Sequence, residues 1–234
     1  MPGTVAFRTF ETRIAASTAA ADVLAGLVGN ALDASPRAQA SLVVSGGSTP
    51  GPCFDLLSGK PLDWSRVTVI PSDERWVAAT DPASNEGLIR ARLLKDRAEP
   101  GRVLSFYRAG LDAAQAPAVI EQDLARLTPG FSAVLLGMGE DGHFASLFPD
   151  FDGLQQALDP DSKTVCTLVQ TAGSPYLRIS LTLPALLKSV HIILLIFGAA
   201  KRSVFETATH GGSAYPIEAL LREPRVPLTV MWAP

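Results

Sequence analysis

VHIILLIFGAAKRSVFETA, residues 190–208, joins the longest apolar run of the chain to a helix-like segment. The run is about half the length that spans a bilayer. It reads instead as a β-strand buried on both faces, with AAKRSVFETA as the helix that follows it. The same grammar recurs. SLVVS (41–45), RVTVIPS (66–72), FSAVLLG (131–137) and PLTVMW (227–232) read as buried strands, and LRISLTL (177–183) shows strand alternation. Between them lie helical patterns: the Ala-rich stretch 11–33, a helix starting near Pro50, and SNEGLIRARLL (84–94), with Leu88, Arg92 and Leu93 at helical spacing. Apolar strands alternating with helices predict an α/β fold of three layers, a mostly parallel sheet with helices on both faces.

The bulk properties fit one globular unit. The chain has 234 residues, of which 47% are hydrophobic and 18% charged, enough apolar mass for a core. A rough prior of 150 residues per domain allows one large domain or two small ones. Pro and Gly sit at the element joints and no linker splits the sequence, so a single domain over residues 1–234 is expected. The net charge is −3 and no long basic run occurs, which argues against nucleic acid or an anionic membrane as partner. An anionic small molecule remains allowed if cations are placed locally. Cys53 and Cys166 stand far apart in apolar contexts and read as reduced thiols; neither belongs to a metal-ligand pattern, so no metal is expected. The N-terminal MPGTVAFRTFETR lacks the apolar core of a secretory signal, which makes the cytoplasm the expected location.

In such sheets ligands bind beyond the carboxyl ends of the strands, and the polar motifs cluster after predicted strands. SGGSTP (45–50) follows SLVV. Gly46 and Gly47 permit close approach and positive φ, Ser48 or Thr49 is a helix-capping type, and Pro50 suits a first helical position. Free amides at such a turn favour a phosphate; the alternative is an ordinary strand-to-helix turn. SDERWV (72–77) crowds Asp73, Glu74 and Arg75 at a strand end, either as a solvated ion pair or with Arg75 offered to a phosphate as a bidentate fork. Asn85 in SNEG is expected to cap a helix, the alternative being contact with sugar hydroxyls.

GMGEDGHFASLFPD (137–150) contains a literal G-x-G-x-x-G, yet a dinucleotide is rejected. Glu140 and Asp141 would repel a pyrophosphate, Pro149 leaves no room for a long crossover helix, and no strand-terminal acid lies about 20 residues on. The better reading centres on His143. A neutral imidazole accepts a proton from water near neutral pH, and Asp141 two residues earlier is placed either to orient it or to touch a sugar. His191 and His210 read as structural. Lys201 falls in the first turn of the helix after the strongest strand, where a cation is disfavoured by the dipole unless an anion is bound. Arg178 is a further candidate cation. No Gly-x-Ser-x-Gly elbow occurs, so water rather than serine is the expected nucleophile.

Taken together, SGGSTP, SDERWV, SNEG, GMGEDGHFASLFPD, LRISLTLP and GAAKR, in this order over residues 41–204, resemble the 6-phosphogluconolactonases of the pentose phosphate pathway. The resemblance implies a NagB/RpiA-like fold, a phosphosugar lactone as substrate, and neither metal nor organic cofactor. It implies that His143 activates water with Asp141 beside it, and that Ser45, Gly46, Gly47, Ser48, Arg75 and Lys201 surround the phosphate and sugar. A monomer or small homo-oligomer is compatible with it. The related glucosamine-6-phosphate deaminases/isomerases share the Gly-Gly loop and Asp-Gly-His but continue with Ile-Ala-Phe-Asn-Glu-Pro. Here Phe144-Ala145-Ser146-Leu147-Phe148-Pro149 follows, so the deaminase glutamate is missing, and Arg75 stands where that family has tyrosine. The lactonases commonly carry Thr after the motif histidine; this chain has Phe144. A non-catalytic phosphosugar-binding regulator is the third class, but no helix-turn-helix or basic patch supports it.

Overall fold

The computed structural model describes residues 4–127, 130–223 and 225–234. Its centre is a seven-stranded, wholly parallel sheet in the order β1-β10-β9-β6-β2-β3-β5. The strands are β1 (Val5–Thr9), β2 (Ala40–Val44), β3 (Val67–Pro71), β5 (Arg102–Val103), β6 (Ala133–Leu136), β9 (Ile192–Phe197) and β10 (Leu228–Ala233). A second sheet, antiparallel and ordered β4-β8-β7, is built from β4 (Asp73–Arg75), β7 (Cys166–Val169) and β8 (Arg178–Leu181).

The apolar runs are explained by what they face. Successive strand side chains point to opposite faces. Leu42, Val44, Val69, Leu135, Ile193, Leu195 and Met231 enter one core, and Val43, Ile70, Val134, Leu136, Ile192, Leu194 and Val230 the other. The first core is closed by α1 (Arg13–Asp33), α2 (Gly51–Ser58) and α3 (Asn85–Arg92), through residues such as Leu24, Phe54 and Ile89. The second is closed by α4 (Ala116–Ala125), α5 (Leu154–Leu158), α6 (Leu183–Leu186), α7 (Ala199–His210) and α8 (Ile217–Arg222), together with β7 and β8. The expected three-layer α/β arrangement is thus present. Helix α1 is long and apolar enough to cross a membrane, but its Ala16, Ala20, Leu24 and Val28 stripe is buried in the first core.

Two expectations need correction. The alternation of LRISLTL predicts one strand, but only Arg178–Leu181 is extended; Thr182 ends it and helix α6 begins at Leu183. Neither Ser48 nor Thr49 caps α2. Pro50 occupies the cap position rather than the first helical one, and no side chain donates or accepts there, because the loop 45–49 turns its residues toward a pocket instead.

The chain runs outward from β2 to β3 and β5, then returns to β6 on the other side of β2 and continues to β9 and β10. The sheet therefore reverses its winding between β2 and β6. That is where an open parallel sheet leaves a crevice at its carboxyl edge.

Candidate active site

Four adjacent central strands deliver the motifs to this crevice. Ser45 follows β2, Ser72 and Asp73 follow β3, Gly137–Gly139 follow β6, and Gly198 with Lys201 follow β9. The cavity there measures about 250 Å³ and is lined mainly by polar groups. It unites Ser45, Gly46, Gly47, Ser48, Asp73 and Arg75 with His143, Arg178 and Lys201. Asp141 does not line it; this carboxylate borders an adjoining shallow cleft and reaches the site through His143.

The loop after β6 is folded tightly around His143. The Gly142 amide donates to the Gly139 carbonyl at 3.1 Å, and the Gly139 amide donates to the His143 carbonyl at 2.9 Å. Asp141 Oδ1 accepts the His143 amide at 3.2 Å and lies 2.5 Å from His143 Nδ1. Gly139 has to be glycine, since a Cβ there would overlap both the imidazole and the Asp141 carboxylate. Gly142 adopts φ +75°, and its carbonyl accepts the Ile217 amide at 2.9 Å, which ties the loop to α8. The His143 ring packs on Phe148 with centroids 4.3 Å apart, and the Arg178 guanidinium also lies over Phe148, at 5.2 Å. A carboxylate against Nδ1 favours the tautomer that carries its proton there, which leaves a lone pair on Nε2.

The glycine-rich loop supplies donors. Among the described residues, the amides of Gly46, Gly47 and Ser48 donate to no protein acceptor. Gly47 holds φ +91°, and a Cβ on Gly46 would strike the Asn85 carboxamide. Asn85 itself corrects an expectation. It does not cap α3; Ser84 does, accepting from the Gly87 amide at 3.0 Å. Asn85 instead turns into the cavity wall. Its Nδ2 donates to the Asp73 carbonyl at 2.7 Å and its Oδ1 accepts from Arg75 Nη1 at 2.7 Å. Arg75 is anchored through Nη1, which also donates to the Ala83 carbonyl at 2.9 Å. Among the described residues its Nε is buried without a partner, so that edge of the guanidinium stays uncommitted.

Sequence reading missed the support for this wall. Glu74 is buried and accepts from the amides of Arg75, Asn85 and Glu86 and from the Ser84 hydroxyl. Burial pushes its carboxyl upward, against the pull of those four donors. A crowded Asp-Glu-Arg at a strand end was the visible signal, but the receiving helix N-terminus lies 10 to 12 residues on.

The cations are partly desolvated. Burial lowers the Arg178 guanidinium from its ordinary range, with Asp73 opposing and Arg75 adding to the fall. Burial likewise lowers Lys201, with Glu140 opposing and Arg13 adding. Lys201 sits at the third position of α7, in its first turn, as expected. His191 is bound to the Thr229 hydroxyl at 2.9 Å and His210 to the Glu206 carbonyl at 2.7 Å, both away from the cavity. Both cysteines are buried and unpaired, and burial pushes each thiol up to about 12. Among the described residues, no group of three or more His, Cys, Asp or Glu side chains is arranged to hold a metal ion.

The fold and site define an α/β protein with a cationic, amide-lined pocket and a carboxylate-paired histidine at the switch point of a parallel sheet. The chain belongs to the glucosamine-6-phosphate isomerase/6-phosphogluconolactonase family, whose model matches residues 11–232. It is 39% identical to a 6-phosphogluconolactonase of Rhizobium meliloti over 93% of this chain and 95% of that one. Its fold superposes on the crystal structure of a 6-phosphogluconolactonase from Shewanella baltica with a TM-score of 0.91 and 36% identity, covering 100% of both chains. A monomeric glucosamine-6-phosphate deaminase shares the fold, with a TM-score of 0.77 and 20% identity over 97% of both chains.

Proposed function

We propose that this chain hydrolyses 6-phospho-D-glucono-1,5-lactone to 6-phospho-D-gluconate, the second step of the oxidative pentose phosphate pathway, with His143 as the general base. The observation that carries the reading is that His143, which lines the pocket with Arg75, Arg178 and Lys201, has its Nδ1 2.5 Å from Asp141 Oδ1 beyond the pocket. The cavity of about 250 Å³ is small for a drug-sized ligand and suits a single sugar phosphate.

In this reading the dianionic phosphate is held by Lys201 and the unpaired amides of the glycine-rich loop. The buried, partnerless Nε of Arg75 is a donor that a bound anion would satisfy. His143 Nε2 takes a proton from water as the water oxygen attacks C1. Asp141 fixes the tautomer and stabilises the imidazolium that forms. A donor in the wall stabilises the oxyanion. When the tetrahedral intermediate collapses, the C1–O5 bond breaks and the imidazolium returns its proton to the ring oxygen. The products are the open-chain acid and a regenerated base. The chain acts as one unit here, since β1 from its start and β10 from its end pair within one sheet.

The deaminase reading is disfavoured by Ser146-Leu147-Phe148-Pro149, which lacks that family's glutamate. Lactone hydrolysis, corrected for spontaneous opening, separates the classes. We expect turnover of the lactone and no ammonia from glucosamine 6-phosphate. Ammonia release would establish the deaminase, and binding without any turnover would establish a regulator.

A further inference from the structure

A chain of buried hydroxyls fixes which way hydrogen bonds can point in this pocket. Asp73 is buried between two serines that are themselves fully buried. Ser72 donates its hydroxyl to Asp73 Oδ1 at 2.8 Å, and Ser146 donates to Asp73 Oδ2 at 2.5 Å. Arg178 Nη1 lies 3.5 Å from the Ser146 hydroxyl and 3.9 Å from Asp73 Oδ2. Ser45 completes the chain, its Oγ 2.9 Å from Ser72 Oγ.

A carboxylate has no proton to give, and a hydroxyl has one. Ser72 spends its proton on Asp73, so the proton in the Ser45–Ser72 bond belongs to Ser45. The Ser45 amide is spent as well, on the Leu135 carbonyl at 2.9 Å. Ser45 lines the cavity with no donor left and can offer only lone pairs. Its neighbours are the reverse: the amides of Gly46, Gly47 and Ser48 have no acceptor among the described residues, and the Ser48 hydroxyl is uncommitted. Two lone-pair-bearing groups repel, so an anionic oxygen has no partner at Ser45.

We infer that Ser45 is a specificity-determining acceptor for a hydroxyl of the sugar, and that the phosphate is held by the three residues after it. The inference rests on the sugar-phosphate reading above. It divides the loop into an acceptor that reads the polyol and donors that read the anion.

The test titrates the full chain by ³¹P NMR with two probes, 6-phosphogluconate and ethyl phosphate, a dianion without hydroxyls. One lost neutral hydrogen bond corresponds to roughly 3- to 10-fold in affinity. Ser45→Ala is expected to weaken 6-phosphogluconate by about that factor and ethyl phosphate by less than about twofold. Ser72→Ala removes the buried partner but keeps the Ser45 oxygen, so it should cost 6-phosphogluconate less than Ser45→Ala does. Should Ser45→Ala fold poorly, Ser45→Cys preserves the volume with a weaker acceptor and is expected to give the same ordering of probes. Equal losses for both probes, no loss for either, or Ser72→Ala matching Ser45→Ala would overturn the inference. Wild-type protein that binds ethyl phosphate but neither binds 6-phosphogluconate nor opens the lactone would overturn the underlying reading too. Normal wild-type behaviour with equal losses in Ser45→Ala removes the inference alone.

Discussion

At the scale of single residues, the site depends on the pairing of His143 with a carboxylate only two positions earlier. Residues that close meet only if the backbone turns back sharply. Gly139 and Gly142 make the turn, one by having no Cβ where the two side chains meet, the other by holding φ +75°. The role given to Asp141 is to hold the tautomer and the developing charge. Asp141→Asn is therefore expected to lower kcat by about 10- to 10³-fold with KM nearly unchanged, measured as initial rates of lactone hydrolysis. A change confined to KM would assign Asp141 to sugar binding instead. The Asp-Gly-His signature was legible because it is local. The Ser45–Ser72–Asp73–Ser146 chain was not, because its hydroxyls meet across as many as 73 positions of sequence. Serine is among the least informative residue types when read one at a time.

At the scale of elements, the strands that could be read are those apolar on both faces. Leu42 and Val43, or Ile193 and Leu194, enter opposite cores, so β2 and β9 appear as unbroken apolar runs. Strand β4 is Asp-Glu-Arg, and nothing in its composition announces extension; its pairing with β8 imposes it. Strand β1 lies at a sheet edge with all five residues exposed, so no burial pattern marks it. The α3 N-terminus shows the same limit. Ser84 and Asn85 are both good caps, and only the fold decides that serine caps while asparagine faces the cavity. Ser84→Ala removes both the cap and one donor to Glu74. We expect it to cost about 1 kcal/mol in urea unfolding and to raise KM several-fold, because Asn85 and Arg75 hang from that helix end. The stability loss of about 1 kcal/mol without any KM effect would show that α3 does not position the cavity wall.

At the scale of the whole molecule, a chain with net charge −3 concentrates three cations in one pocket. That concentration is sustained by the nearby carboxylates Asp73 and Glu140. Burial, with a smaller contribution from Arg13, leaves Lys201 easier to deprotonate than a solvated lysine. The sign follows for binding. A base whose proton is held less tightly in the free protein loses its charge at a lower pH, and with it the attraction for a phosphate dianion. The dissociation constant for 6-phosphogluconate should therefore rise with pH before the ordinary lysine value of 10.5 is reached. Lys201→Met should bind weakly throughout, with no rise over that range. A wild-type curve that stays flat to pH 10 would separate Lys201 from the anion. The product is the ligand to use, since the lactone opens spontaneously in base.

The direct measurement of the base's role is kcat for lactone hydrolysis by His143→Ala, alongside its thermal midpoint and its affinity for 6-phosphogluconate. We expect a loss of about 10²–10⁴-fold in kcat with the midpoint and product affinity close to wild type, since His143 contributes a partly exposed ring rather than a core contact. Turnover within a few-fold of wild type in a folded His143→Ala protein would contradict it.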